Sequence, residues 1–389
     1  MYVDFTPEQK KLRSEIRSYF EALMTPERKK TLVGVYQGAE YKESIRQIGK
    51  DGWLGVGWPK EYGGHGFTAL EQLIFVDEAR RTSAPLPFVT LNTVGPALML
   101  HGTEEQKKKF LPMILAGEVH FAIGYSEPMA GTDLASLQTR AVRNGDEYVV
   151  NGTKMFTSGA GDADFIWLAT RTDPDVKKHK GITMLIADTK QPGFSATPIH
   201  TVGAGRTHMS YYEDVRVPVT MRIGEENAGW KIITTQLNHE RIGLGAWGCV
   251  AARIVEDVIH WARTTEADDG RKVADQPWVQ NAIGEAYARV EAAKVMNWRM
   301  AWMVEQGRLP PANASGVKVY GTETLIEVYS LLLDILGTPG LLKADSPGAL
   351  LLGAIEREYR ACQINTFGGG VNEIQRTIVA TMGLGLPRK

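Results

Sequence analysis

The chain has 389 residues, with 44 Lys and Arg against 45 Asp and Glu, a formal net charge of −1. That balance supplies no electrostatic pull toward nucleic acid or an anionic membrane. Two cysteines, Cys249 and Cys362, exclude a disulfide framework or a multi-cysteine metal centre and point to a reducing compartment.

The opening residues, MYVDFTPEQKK, show no basic segment followed by an apolar one, so the expectation is a cytoplasmic protein without a signal peptide. The longest uncharged run, Thr82 to Leu100, is long enough to span a bilayer. It contains Pro85, Pro87 and Pro96, and reads instead as loop plus buried helix, so no membrane span is expected.

In chain order the pattern is helical, then β, then helical. Thr6-Pro7-Glu8-Gln9 is a capping box that predicts a helix ending near Met24, and Thr103-Glu104-Glu105-Gln106 predicts a second start. From about Glu118 to Pro218 short runs rich in β-branched and aromatic residues follow one another without intervening helices. Asn144-Gly145 marks a hairpin among them. This spacing argues for an antiparallel barrel or sandwich and against a doubly wound sheet. After Asn227-Ala228-Gly229 the helical period returns, with further helices expected across roughly 276–306 and 315–336. The expected domains are 1–118 (helical), 119–226 (β) and 227–389 (helical bundle).

Candidate chemistry is sparse. No GxGxxG opens a helix after a strand, no phosphate loop or HExxH occurs, and the eight histidines are scattered. Glu240 falls on an apolar stripe formed by Ile233, Leu237, Leu244, Trp247, Ala251, Ile254 and Val258. A carboxylate there is partly desolvated, which strengthens it as a base; pairing with Arg241 is the structural alternative. Tyr125-Ser126-Glu127-Pro128-Met129-Ala130-Gly131-Thr132-Asp133 offers hydroxyls and small residues to a flat polar ligand, or forms a turn. In Lys154-Met155-Phe156-Thr157-Ser158-Gly159-Ala160-Gly161 an aromatic precedes a hydroxyl by two, suited to stacking on a ring and bonding its edge, although β-propensity explains both types. Gly368-Gly369-Gly370 brings backbone close to a ligand or merely connects helices.

Taken in order, these segments resemble the acyl-CoA dehydrogenase family along essentially the whole chain. SEPMAGTD is similar to the family's T/S-E-P-x-A-G-S/T-D, KMFTSGAG resembles K-x-W-I-T-N/S with Phe156 for the usual Trp, EDVRVP closes the β-domain, and NTFGGGVNEIQR resembles Y-E-G-T-S-Q-I-Q-R. The resemblance implies a helical domain, a β-domain and a C-terminal four-helix bundle, a bound FAD, an acyl-CoA substrate and α,β-dehydrogenation. It implies that Tyr125, Ser126, Gly131, Phe156, Thr157, Ser158 and Asn372 contact FAD, with Ser158 directed at flavin N5. It implies further that Thr132, Asn238 and Arg241 meet the substrate. Most members carry the catalytic Glu where this chain has Gly369, whose N–H is then expected at the thioester oxygen. A subset similar to isovaleryl-CoA dehydrogenase uses a helical Glu in the context L-D-L-E-R, matched here by Leu237-Asn238-His239-Glu240-Arg241.

The second signature, Q-x-x-G-G-x-G, appears as Asp334-Ile335-Leu336-Gly337-Thr338-Pro339-Gly340, and the arginine and glutamine that grip the ADP half of FAD have no match in GRKVADQPWVQ. This pattern is similar to the base-carrying subunit of heterotetrameric steroid side-chain dehydrogenases, implying a paralogous partner subunit and an electron-transfer flavoprotein as acceptor. A homotetramer acting on short or branched chains, a non-catalytic interface subunit and an acyl-CoA oxidase are the alternatives.

Overall fold

Three threonines, Thr6, Thr68 and Thr103, open helices in the same way. In this computed structural model, which describes residues 4–32, 37–203, 205–236, 247–308 and 310–387, each hydroxyl accepts the N–H of the residue three further on, and that residue's Gln or Glu side chain returns to the threonine N–H. Two of these capping boxes were legible in the sequence pattern; the one at Thr68-Ala69-Leu70-Glu71 was not among the expected starts. The N-terminal helices are α1 (Pro7–Leu23), α2 (Pro26–Leu32), α3 (Ala39–Lys50), α4 (Ala69–Arg81), α5 (Gly95–His101) and α6 (Glu104–Leu115). They bury Ile16, Phe20, Ile45, Ile48, Phe75, Leu98 and Phe110 in one core.

The uncharged run after α4 resolves into an extended linker, a π-helical turn at Thr90–Val94 and then α5. A side chain at Gly95 would lie 2.2 Å from the Trp58 ring, so glycine there is what admits the indole, whose N–H bonds the Leu91 carbonyl. Among the described residues no helix is long and apolar enough to cross a membrane.

Eight strands follow: β1 (Phe121–Gly124), β2 (Arg140–Asn144), β3 (Glu147–Lys154), β4 (Phe165–Arg171), β5 (Ile182–Asp188), β6 (Phe194–His200), β7 (Arg206–Pro218) and β8 (Arg222–Ile223). They form one sheet in the order β6-β7-β3-β2-β4-β5-β8, with β1 beside β4. Pairing is antiparallel except that β1 runs parallel to β4 and one residue pair joins β2 to β4 in parallel. The purely antiparallel expectation is corrected here for a topological reason. The whole β2–β3 hairpin lies between β1 and β4 in the chain, so β4 re-enters the sheet from the same end as β1. The hairpin turn sits one residue later than expected, at Gly145-Asp146, with Gly145 at φ +62°.

β4 alternates Ile166 and Leu168 toward one core with Trp167 and Ala169 toward the other. A strand buried on both faces reads as continuous apolar sequence, and that is why FIWLAT carries no alternation. Residues 229–236 form α7, and the C-terminal helices α8 (Trp247–Thr264), α9 (Pro277–Glu305), α10 (Pro311–Leu336), α11 (Ala354–Cys362) and α12 (Asn372–Ile378) follow. Ala251, Ile254 and Val258 of the expected stripe pack with Leu325, Val328 and Leu332 of α10. Arg81 ties α4 to Glu256 of α8 at 2.6 Å, and Arg360 of α11 bonds the Val202 carbonyl between β6 and β7.

Candidate active site

The expected segments at the ends of β1 and β3 lie against each other, and a buried charge joins them. Lys154 is fully buried at the end of β3, and its ammonium donates to the Tyr125 carbonyl at 3.0 Å and to Glu127 Oε1 at 2.9 Å. Glu127 also accepts the N–H groups of Gln138 at 2.6 Å and Thr139 at 2.8 Å, and the Met155 N–H bonds the Ser126 carbonyl at 2.8 Å. Burial pushes the Lys154 ammonium down to about 8, against the pull of Glu127. Burial pushes the Glu127 carboxyl up, but the Lys154 charge and the hydrogen bonds from Lys154, Thr139 and Gln138 outweigh it and hold the group below the usual carboxylate range. The result is an intact ion pair.

Phe156 follows at φ +60° with 54% of its surface exposed. A large aromatic in the left-handed region, facing solvent, is costly in both respects, and such strain collects at ligand sites. Thr157 turns inward, its N–H on the His208 carbonyl at 3.0 Å and its hydroxyl 3.1 Å from Ser210. Ser158 is exposed, and its hydroxyl donates to the Thr207 hydroxyl at 3.1 Å.

Tyr125 and Ser126 diverge. The Tyr125 phenol is buried and donates to Gln236 Oε1 on α7, an oxygen that also receives the Trp167 indole N–H at 2.8 Å. Ser126 is half-buried, and its hydroxyl bonds no other described residue. Gly131 and Thr132 are exposed, and a Cβ at Gly131 would meet no protein atom within 4 Å. An exposed ring at Phe156, hydroxyls at Ser126 and Ser158 and open room at Gly131 form a donor set that fits the edge and face of an isoalloxazine.

The C-terminal elements are organised by Lys318. Its buried ammonium donates to the carbonyls of Thr366 (3.0 Å) and Gly370 (2.7 Å) and to Asn372 Oδ1 (2.6 Å). The Asn372 amide donates to Thr322 and Glu323, so its polar atoms are engaged within the chain. Gly369 sits at φ +68° and its N–H bonds no other described residue. Glu240, Asn238 and Arg241 lie outside the described residues; the described part of α7 ends at Gln236.

In the region expected to lack an ADP grip, Gly337 ends α10 at φ +62°, and a Cβ at Gly340 would lie 2.5 Å from Leu336 Cβ. The Arg271 guanidinium is taken up by Asp269 (2.9 and 2.6 Å) and Lys272 by Glu266 (3.1 Å). Sequence reasoning missed Lys154, Trp167, Gln236 and Lys318 as organisers of the site. A lysine on the inward register of the strand EYVVNGTK, in step with Tyr148 and Val150, was the available signal for the first; the others carry none, because their partners are distant in the chain.

Profiles of the acyl-CoA dehydrogenase N-terminal, middle and C-terminal domains match residues 6–118, 122–215 and 227–384. Acyl-CoA dehydrogenase FadE26 of Mycobacterium tuberculosis is 52% identical over 402 residues, covering 100% of this chain and 99% of that protein. A chain of the solved Tcur3481-Tcur3483 steroid ACAD superposes with a TM-score of 0.95 at 52% identity, and one from the ChsE4-ChsE5 complex of Mycobacterium tuberculosis with 0.95 at 53%. Both cover 100% of each chain.

Proposed function

Because the chain belongs to the acyl-CoA dehydrogenase family of FAD-dependent oxidoreductases acting on CH–CH bonds, we propose that it dehydrogenates a steroid side-chain acyl-CoA to the trans-2-enoyl thioester. The observation that carries the flavin-facing part is Phe156, exposed at a left-handed φ, with the Ser158 hydroxyl two residues on. The steroid assignment is supported by the full-length likeness to the Tcur3481-Tcur3483 steroid ACAD.

Bound FAD supplies the acceptor for the hydride that leaves the β-carbon. Glu240 removes the α-proton, its basicity raised by the apolar stripe on which it lies. The Gly369 N–H holds the thioester oxygen and stabilises charge as the proton departs. Phe156 packs on the flavin ring, Ser158 and Ser126 donate to its edge, and Thr157 braces the loop from within. Tyr125 supports the pyrimidine side through the backbone, its phenol being engaged by Gln236. Gly131 leaves room for the cofactor, Thr132, Asn238 and Arg241 hold the substrate, and Asn372 fixes the loop that carries Gly369.

We assign the domains as 1–118, 119–226 and 227–389, and infer a cytoplasmic enzyme that passes electrons to an electron-transfer flavoprotein. The functional unit is a heterotetramer with a paralogous subunit. Arg271 and Lys272 are consumed by their own neighbours, which favours an ADP grip supplied from a partner, and two solved assemblies that the chain resembles are named as pairs of distinct proteins. The test is anaerobic titration of the co-expressed pair with a panel of acyl-CoAs. Bleaching of the flavin by steroid side-chain thioesters in preference to short chains is the expected result, and preference for a short or branched chain would overturn the substrate assignment.

A further inference from the structure

The described residues hold two deeply buried carboxylates in ion pairs. Glu78 is enclosed by Arg13 and Arg17 of α1, at 2.6 and 2.7 Å, and joins α4 to α1 far along the chain from any residue given a role above. Glu127 is the other, and its surroundings differ in kind. Every group it and Lys154 engage belongs to backbone in or beside the loops around residues 125–139 and 154–158. Lys154 holds the carbonyl of Tyr125, Glu127 holds the N–H groups of Gln138 and Thr139, and Met155, next to Lys154, holds Ser126. Two loops that start from different strands are thereby fixed in mutual register by one buried charge pair, Lys154 fully enclosed and Glu127 nearly so.

We propose that the Lys154–Glu127 ion pair is a positioning device for the cofactor, setting Ser126 on one loop and Phe156 and Ser158 on the other at the spacing a flavin edge requires. Neither side chain is given cofactor contact. They act through the backbone, and a buried ion pair suits the task because its worth lies in geometry rather than in net stability. Removing one partner leaves a buried charge unpaired, a large penalty; removing both charges together leaves a neutral pair of similar volume. The inference rests on the reading of these loops as the flavin edge.

The experiment compares wild type, Lys154→Met/Glu127→Gln and Glu78→Gln, each as the full chain in the assembly that holds FAD. The double variant is expected to unfold near the wild-type midpoint yet to release FAD about tenfold faster on dilution, with a shifted flavin absorption spectrum and reduction potential. Glu78→Gln is expected to lose stability with spectrum, potential and release rate unchanged. A double variant with wild-type release, spectrum and potential would overturn the proposal. Should the double variant fail to fold, amide exchange in the wild-type chain decides: FAD must protect Met155, Gln138 and Thr139 together, and no change at these amides overturns the device. Ser158→Ala keeps the two readings apart. If it too leaves the flavin spectrum untouched, the flavin-edge assignment itself has failed; if it alters the spectrum while the double variant does not, only the positioning role falls.

Discussion

Tyr125 donates its phenolic proton to Gln236, linking the loop after β1 to the end of the described part of α7. The residues that follow Gln236 in the chain include Glu240, so one buried hydrogen bond ties the loop after β1 to the segment that leads in sequence to the proposed base. Trp167 donates to the same oxygen, which makes the junction a three-residue cluster inside the N-terminal core.

Glu240→Gln is expected to bind FAD normally and to fail to reduce it with substrate. Loss of a general base costs roughly 10²- to 10⁴-fold in rate. Stopped-flow bleaching under anaerobic conditions reads this directly, and bleaching at a near wild-type rate would remove Glu240 from the mechanism.

At Gly369, where most of the family has its glutamate, the backbone is at φ +68°. A side chain there costs about 1 kcal/mol in backbone strain. Gly369→Ala is expected to lower stability by that amount and to slow turnover by displacing the N–H from the thioester oxygen. Thermal unfolding and kcat measured on the same preparation check both halves. Gly369→Glu in the Glu240→Gln background regains only part of the lost activity, since the new carboxylate pays the same strain.

Ser158→Ala removes the hydroxyl that hydrogen-bonds Thr207 and that, in the proposed complex, turns its single proton toward flavin N5. The loss of one such bond is worth about 0.5–1.5 kcal/mol. Slower flavin reduction with unchanged unfolding of the β-domain is expected. Identical reduction kinetics and spectrum would show that Ser158 faces elsewhere.

Acid should weaken the N-terminal core through His120. Burial pushes this imidazole down to about 4, helped by Lys42 and opposed by Asp164 and Asp162. The folded value lies below the ordinary 6.5, so the contribution of neutral His120 is complete above pH 6.5 and declines as pH falls toward 4. Unfolding by denaturant at pH 7 and pH 5 should differ by about 2 kcal/mol from this group. His120→Phe should flatten that difference; an unchanged pH dependence would place the titration on other groups.

Expressed alone, the chain is expected to retain little FAD, and co-expression with the paralogous subunit to restore it. Flavin stoichiometry and native mass decide the matter. An active homotetramer with one FAD per chain would defeat the heteromeric assembly.

The helices were legible because their starts are local chemistry: Thr6 and Thr103 announce themselves within four residues. The strand content was legible for the same reason, but the parallel placement of β1 beside β4 was not, because it depends on where a 40-residue excursion returns. The segments at 125–133 and 154–161 could be singled out by composition, yet composition gave no sign that the Tyr125 phenol turns inward. That orientation is set by Trp167 and Gln236, 42 and 111 residues away. Asn372 illustrates the same limit. Its amide is claimed by Lys318, Thr322 and Glu323 on a helix some 50 residues earlier.

Lys318 on α10 gathers the Thr366 and Gly370 carbonyls and the Asn372 side chain, so the glycine run 368–370 is tied at both ends by protein atoms. A loop held in this way gives up less conformational freedom when, in the proposed complex, the thioester binds. Substrate binding energy that would otherwise be consumed in ordering a glycine-rich segment is left for bringing the α-carbon to its base.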